Sequence, residues 1–161
     1  MKRLGILLIT VLSGLVLVPA ATADKPERFF LPSEDFVFSC PSFDVSIEFL
    51  ENNEYSTVFS DGRFLITGKL KIRLTNLSDP GNSMDANISG PGVITETSDG
   101  GFQLTAWGIW LFWFFPGDLG PGSPGTMLLT KGLASATIDG TGNLASFTPA
   151  RNTTSLCPAL A

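Results

Sequence analysis

The sequence predicts an all-β protein, an antiparallel up-and-down barrel of about eight strands, with a two-sheet sandwich as the alternative. Three observations carry this expectation. Apolar residues alternate with polar ones at period two along most of the chain, as a half-buried strand requires. Asx-Gly and Pro-Gly pairs punctuate these stretches where tight hairpins need a positive φ. No segment after Asp24 holds a sustained i, i+3, i+4 apolar pattern, so little helix is expected.

Residues 1–23 read as a signal peptide. Met1, Lys2 and Arg3 precede fifteen mostly apolar residues from Leu4 to Val18, and Ala21-Thr22-Ala23 supplies a small-residue cleavage site ending at Ala23. The apolar run is shorter than the roughly 20 residues of a spanning helix, so the mature chain is expected to carry no transmembrane segment. Residues 24–39 mix charge with two prolines and read as a lead-in, and residues 40–161 as one β-domain. The location this predicts is secreted, or periplasmic and cell-envelope.

Within the domain, "FDVSIEFL" places Phe43, Val45, Ile47 and Phe49 on one face, opposite Asp44, Ser46 and Glu48. A strand near Glu54 to Ser60 ends at Asp61-Gly62. In "FLITGKLKIRLT", Phe64, Ile66, Leu70, Ile72 and Leu74 oppose Thr67, Lys69, Lys71, Arg73 and Thr75. Gly68 leaves a notch there suited to a bend or to close approach by another element. Pro80-Gly81 and Pro91-Gly92 bracket "MDANIS"; Asp99-Gly100 separates "VITETS" from "FQLTAW"; Asp139-Gly140 separates "MLLTKGLASATI" from "NLASFT". Cys40 and Cys157 are the only cysteines, and in an exported protein they are expected to form a disulfide that holds the first and last strands together.

The run "TNLSDPGNSMDANISGPG", the "SDGG" hairpin, the "WGIWLF" strand and a Cys-Pro close to the C-terminus resemble a group of small exported bacterial β-proteins of unassigned function. In architecture the chain is also similar to lipocalin-type and allene oxide cyclase-type barrels. These resemblances rest on turn and core residues, so they imply a fold and transfer no catalytic or binding residue.

Charge and composition narrow the chemistry. Once Lys2 and Arg3 are removed, 8 basic residues face 15 acidic ones, a net charge of −7, so no nucleic-acid partner is expected. The chain contains no histidine, which excludes Ser-His-Asp and Cys-His catalysis and imidazole-bearing zinc sites in their usual forms. Glu48, Glu51 and Glu54 cluster in sequence and could serve a glycan hydrolase, although a solvated surface is the simpler reading. Asp79, Asn82 and Asp85 offer oxygen ligands around a turn without the spacing of a calcium loop. Sequons at Asn76, Asn87 and Asn152 read as idle. No metal or other cofactor is expected.

The candidate site is the aromatic stretch "WGIWLFWFFPG". As a strand it places Trp107, Ile109, Leu111, Trp113 and Phe115 on one side and Trp110, Phe112 and Phe114 on the other. Either one face fills the core while a lead-in or loop covers the second, or the second face is an interaction surface. The expected site residues are Trp107, Trp110, Phe112, Trp113 and Phe114, with "PGDLGPGSPG" after them as a rim or lid. The function expected is non-enzymatic binding of an apolar small molecule or a protein partner, with homo-oligomerisation through the same face a further outcome. The alternatives are a histidine-free enzyme, either a carboxylate-dependent glycan hydrolase or a lipid-shaping barrel, and a structural cell-envelope protein.

Overall fold

Seven long period-two stretches run back and forth through the chain, and a bend breaks each into two shorter strands. The computed structural model describes residues 25–161; the signal peptide expected over residues 1–23 and its expected cleavage after Ala23 lie outside the described residues. The strands are β1 (Glu27–Phe30), β2 (Phe36–Ser39), β3 (Asp44–Asn52), β4 (Tyr55–Val58), β5 (Phe64–Thr67), β6 (Leu70–Asn76) and β7 (Ser83–Asn87). They continue as β8 (Gly92–Glu96), β9 (Phe102–Ala106), β10 (Ile109–Phe114), β11 (Thr126–Lys131), β12 (Ala134–Ile138), β13 (Leu144–Thr148) and β14 (Asn152–Ser155). No helix occurs among the described residues.

One half of every long stretch pairs into a seven-stranded antiparallel sheet of order β1-β4-β5-β8-β9-β12-β13. The other halves separate into a four-stranded sheet, β2-β3-β6-β7, and a three-stranded sheet, β10-β11-β14. The connectivity is up-and-down throughout, but none of the three sheets closes into a barrel, and the strands number fourteen rather than about eight. The physical reason lies at the bends. Gly68, Gly108 and Gly132 occupy positive φ (149°, 79° and 123°) where the chain passes from one sheet to another, a geometry that lets one strand serve two sheets. At Gly68 a Cβ would stand 2.2 Å from the Asn53 carbonyl oxygen and 2.6 Å from Glu54 Cα, so the notch expected there is filled by the neighbouring backbone.

The three sheets stack as layers, with the three-stranded sheet in the middle. Val45, Ile47, Ile72 and Leu74 of the four-stranded sheet pack with Leu111, Met127 and Leu156 in one core. Phe112 and Phe114, on the opposite face of β10, pack with Ala106, Ala134 and Ala136 of the seven-stranded sheet in a second core. The register agrees: Leu111 pairs with Leu129 and Trp113 with Met127 on one face, Phe112 with Leu128 on the other. Both faces of β10 pack against other sheets over part of their length, which is why β10 lacks the polar alternation seen elsewhere. Thr130, fully buried in this layer, donates its hydroxyl to the Trp110 carbonyl at 3.3 Å, so its burial leaves no orphan donor.

The outer face of the four-stranded sheet is polar. On the four-stranded sheet Arg73 stands between Glu48 and Asp85 in the register and forms a two-point contact with Asp85, at 2.8 and 3.1 Å. Residues expected as a lead-in supply two edge strands, β1 against β4 and β2 against β3. Cys40, just after β2, bonds to Cys157, just after β14, across 117 residues and a Cα separation of 5.7 Å. The predicted disulfide thus ties the first long stretch to the last. Among the described residues, no helix is long and apolar enough to cross a membrane.

Candidate functional site

The site grows from the way β10 is seated. Gly90 and Gly92 form a slot for the Trp110 indole: a Cβ at Gly90 would lie 2.4 Å from its ring, and one at Gly92 2.5 Å. The Trp110 Nε1–H donates to the Pro91 carbonyl at 3.2 Å, which satisfies the one polar atom of the ring. Farther along the same face, Phe112 and Phe114 stack with centroids 6.3 Å apart, and Phe147 of β13 closes on both, at 5.0 and 4.8 Å. Phe112 and Phe114 are accordingly only 8% and 4% exposed.

These rings do not fill all the space between β10 and the seven-stranded sheet. An open cleft of about 360 Å³ remains, walled by Phe102, Leu104, Ala136, Ile138 and Leu144 on the sheet side and by Trp110, Phe112 and Phe114 on the β10 side. Leu111 and Trp113 reach it around the free edge of β10, and Asp118 and Gly142 stand at its rim. The volume is at the lower end of the roughly 300–1,000 Å³ common for ligand pockets, and the walls are mainly apolar.

Four of the five residues expected from the sequence therefore converge on one cleft: Trp110, Phe112, Trp113 and Phe114. Trp107 does not. It sits in the bend between β9 and β10, 40% exposed, with its backbone N–H donated to Pro91 at 2.9 Å. Trp113 faces the other layer, edge-on to Phe36 at 5.5 Å, and keeps 41% of its surface exposed. The second aromatic face, expected to be covered by a lead-in or loop or else left open, is covered by β9, β12 and β13. The sequence reading missed the opposite wall, although the alternation of Phe102 and Leu104 with Gln103 and Thr105 shows which side chains face inward.

The rim is ordered by its own hydrogen bonds. The Phe115 N–H donates to Asp118 Oδ2 at 2.8 Å, and Gly120 and Ser123 each donate back three residues, to Gly117 and Gly120, at 3.0 Å. The "PGDLGPGSPG" loop is thus a built rim. On the hairpin that brings Gly142 to the rim, the Asp139 carboxylate accepts from the Thr141 hydroxyl at 2.6 Å and from the Asn143 and Thr141 backbone N–H groups at 3.0 and 2.9 Å; these bonds, the hydroxyl's first, hold it below the ordinary carboxylate range. The positive φ of that hairpin falls on Gly142, not Gly140.

The other sequence candidates disperse. Glu48 is on the outer face of the four-stranded sheet; Glu51 pairs with Lys69 at 3.0 Å and Lys71 at 3.7 Å, Lys69 first among the causes that lower its carboxyl. Glu54 turns into a separate apolar cavity, where burial pushes its carboxyl up. Asn82 donates to the Leu160 and Ala161 carbonyls, at 2.9 and 3.1 Å, and Asp85 to Arg73 is an ion pair, so this turn anchors the C-terminus. Asn76, 4% exposed, donates to the Leu160 carbonyl at 2.8 Å and accepts from Ser78. Among the described residues no group of three His, Cys, Asp or Glu side chains gathers as a metal site. Compared with known proteins, the chain matches no family model, no curated protein and no solved structure.

Proposed function

We propose that this chain is an exported, disulfide-pinned β-protein that holds a neutral apolar small molecule in the cleft between β10 and the seven-stranded sheet. The observation that supports the reading is the cleft itself. About 360 Å³ of space is lined mainly by aromatic and aliphatic side chains, among which Phe112 and Phe114 are held by packing on each other and on Phe147. Preformed apolar walls of this kind take a ligand without first ordering side chains, which lowers the entropy lost on binding. With Asp118 at the rim and no cationic side chain among the lining residues, neither charge nor acid–base chemistry is asked of the ligand.

The test is a titration with the neutral fluorophore N-phenyl-1-naphthylamine, followed by its own emission and by tryptophan quenching. Leu144→Trp and Ile138→Phe fill the cleft from the sheet side, and each is expected to weaken binding at least ~10-fold while near-UV circular dichroism shows a retained fold. Undiminished binding in both folded variants would defeat the proposal.

A further inference from the structure

A second cavity lies on the other side of β10, between the four-stranded and three-stranded sheets. It measures about 110 Å³, and Phe49, Trp110, Trp113 and Glu54 line it together with aliphatic side chains that include Leu70 and Ile88. Glu54 is its only ionisable lining residue. The carboxylate is there because the chain crosses between sheets at this point: the Glu54 N–H donates to Asn52 Oδ1 at 2.9 Å, and its carbonyl accepts from Leu31 at 3.0 Å. Both contacts hold the backbone and leave the carboxylate without a partner. Among the described residues no cation pairs with it, and burial is the sole cause that raises its carboxyl.

A half-buried, unpaired carboxylate in a cavity that three aromatic residues also line favours positive charge, since aromatic rings carry negative faces that attract a cation and the acid supplies a counter-charge. The donor count then separates the kinds of cation. A primary ammonium brings three N–H groups that each need an acceptor, and the cavity offers one acidic side chain among apolar walls. The Trp110 indole cannot help, as it is a donor already engaged with Pro91. A quaternary ammonium has no N–H to satisfy, and its methyl groups are compatible with the aliphatic surface. An overall excess of acidic residues favours the approach of either cation.

The geometry points to the Glu54 cavity as a binding site for a quaternary ammonium group. The site is separate from the cleft and does not rest on the cleft being occupied, although Trp110, Leu111 and Trp113 are common walls of both.

Tetramethylammonium chloride, methylammonium chloride and sodium chloride, titrated at matched ionic strength into the full protein while tryptophan emission is recorded, test the assignment. Tetramethylammonium is expected to give a saturable change, with methylammonium at least ~10-fold weaker and sodium without effect. Glu54→Gln, which keeps the shape and removes the charge, is expected to weaken tetramethylammonium at least ~10-fold and to leave N-phenyl-1-naphthylamine binding in the cleft unchanged. An equal response to methylammonium or sodium overturns the inference, as does full affinity in Glu54→Gln. If that variant does not fold, Leu144→Trp, which fills the cleft and leaves the lining of this cavity intact, decides the matter: retained tetramethylammonium affinity and discrimination support the inference, and their loss overturns it.

Discussion

Replacing Phe112 by Ala tests whether β10 is an interior layer. Phe112 is 8% exposed and has ring neighbours at 5.0 Å (Phe147), 6.2 Å (Trp110) and 6.3 Å (Phe114). Phe-to-Ala changes in packed interiors cost about 3–5 kcal/mol, and loss of three aromatic contacts places this one near the top of that range, about 4–5 kcal/mol. The next residue supplies the control. Trp113 points to the opposite face, is 41% exposed and has one close ring partner in that layer, Phe36, so Trp113→Ala should cost only about 1–2 kcal/mol despite removing the larger side chain. Equilibrium urea unfolding with the disulfide intact measures both. A cost below about 1 kcal/mol for Phe112→Ala, or a larger cost for Trp113→Ala, would refute the layered packing.

Three further outcomes are expected. Replacing Cys40 and Cys157 by Ala opens a 117-residue loop, which the chain-entropy account values at about 5 kcal/mol; thermal unfolding should shift downward by roughly 15 °C, and an unchanged midpoint would contradict it. Gly68→Ala sets a Cβ against backbone atoms at 2.2 and 2.6 Å and should cost about 3–5 kcal/mol, whereas Gly62→Ala, at φ 83° in open space, should cost about 1–2 kcal/mol by the same urea assay. Burial raises the Glu54 carboxyl above its ordinary 4.5, so the folded chain holds that proton better than the unfolded chain. The resulting stability is present below 4.5 and lost as pH rises through the folded value, so Glu54→Gln should gain on the unaltered protein between pH 4 and pH 7, measured as urea midpoints; a constant difference would contradict the assignment.

Much of this fold is legible in the sequence because alternation and turn chemistry act locally. Val45, Ile47, Ile72 and Leu74 are buried as their period-two pattern predicts, and the Asp61-Gly62 and Asp99-Gly100 hairpins place their glycines at positive φ, 83° and 82°. The disulfide is expected from two cysteines in a chain whose first residues read as an export signal. Sheet membership is not legible in the same way, because alternation continues unbroken through Gly68 and Gly132 while the chain passes to a different sheet. A long strand and two short strands joined at a bend have the same pattern; the difference lies in which backbone packs against the glycine.

The aromatic stretch holds its own clue to the layering. A strand apolar on both faces needs two covering layers, and a barrel wall or a two-sheet sandwich provides one. That requirement identifies β10 as central without naming what covers it, since β9, β12 and β13 each have an ordinary one-sided pattern. Glu54 was illegible for a different reason. Asn52 and Asn53 beside it read as a solvated turn, whereas the crossing between sheets rotates that carboxylate inward, and only the packing of three layers shows that Trp110 and Trp113 meet it there.

The central functional claim is that apolar space between β10 and the seven-stranded sheet receives a ligand. Methyl-selective NMR during a titration with N-phenyl-1-naphthylamine tests it most directly, because the leucine and isoleucine methyls of the two walls report separately from those on the exterior. The account predicts saturable shifts at Leu104, Ile138 and Leu144, with the outward Leu77 and Leu133 unmoved. Shifts confined to Leu77, Leu133 and other exposed methyls, with the cleft methyls silent at saturation, would contradict it.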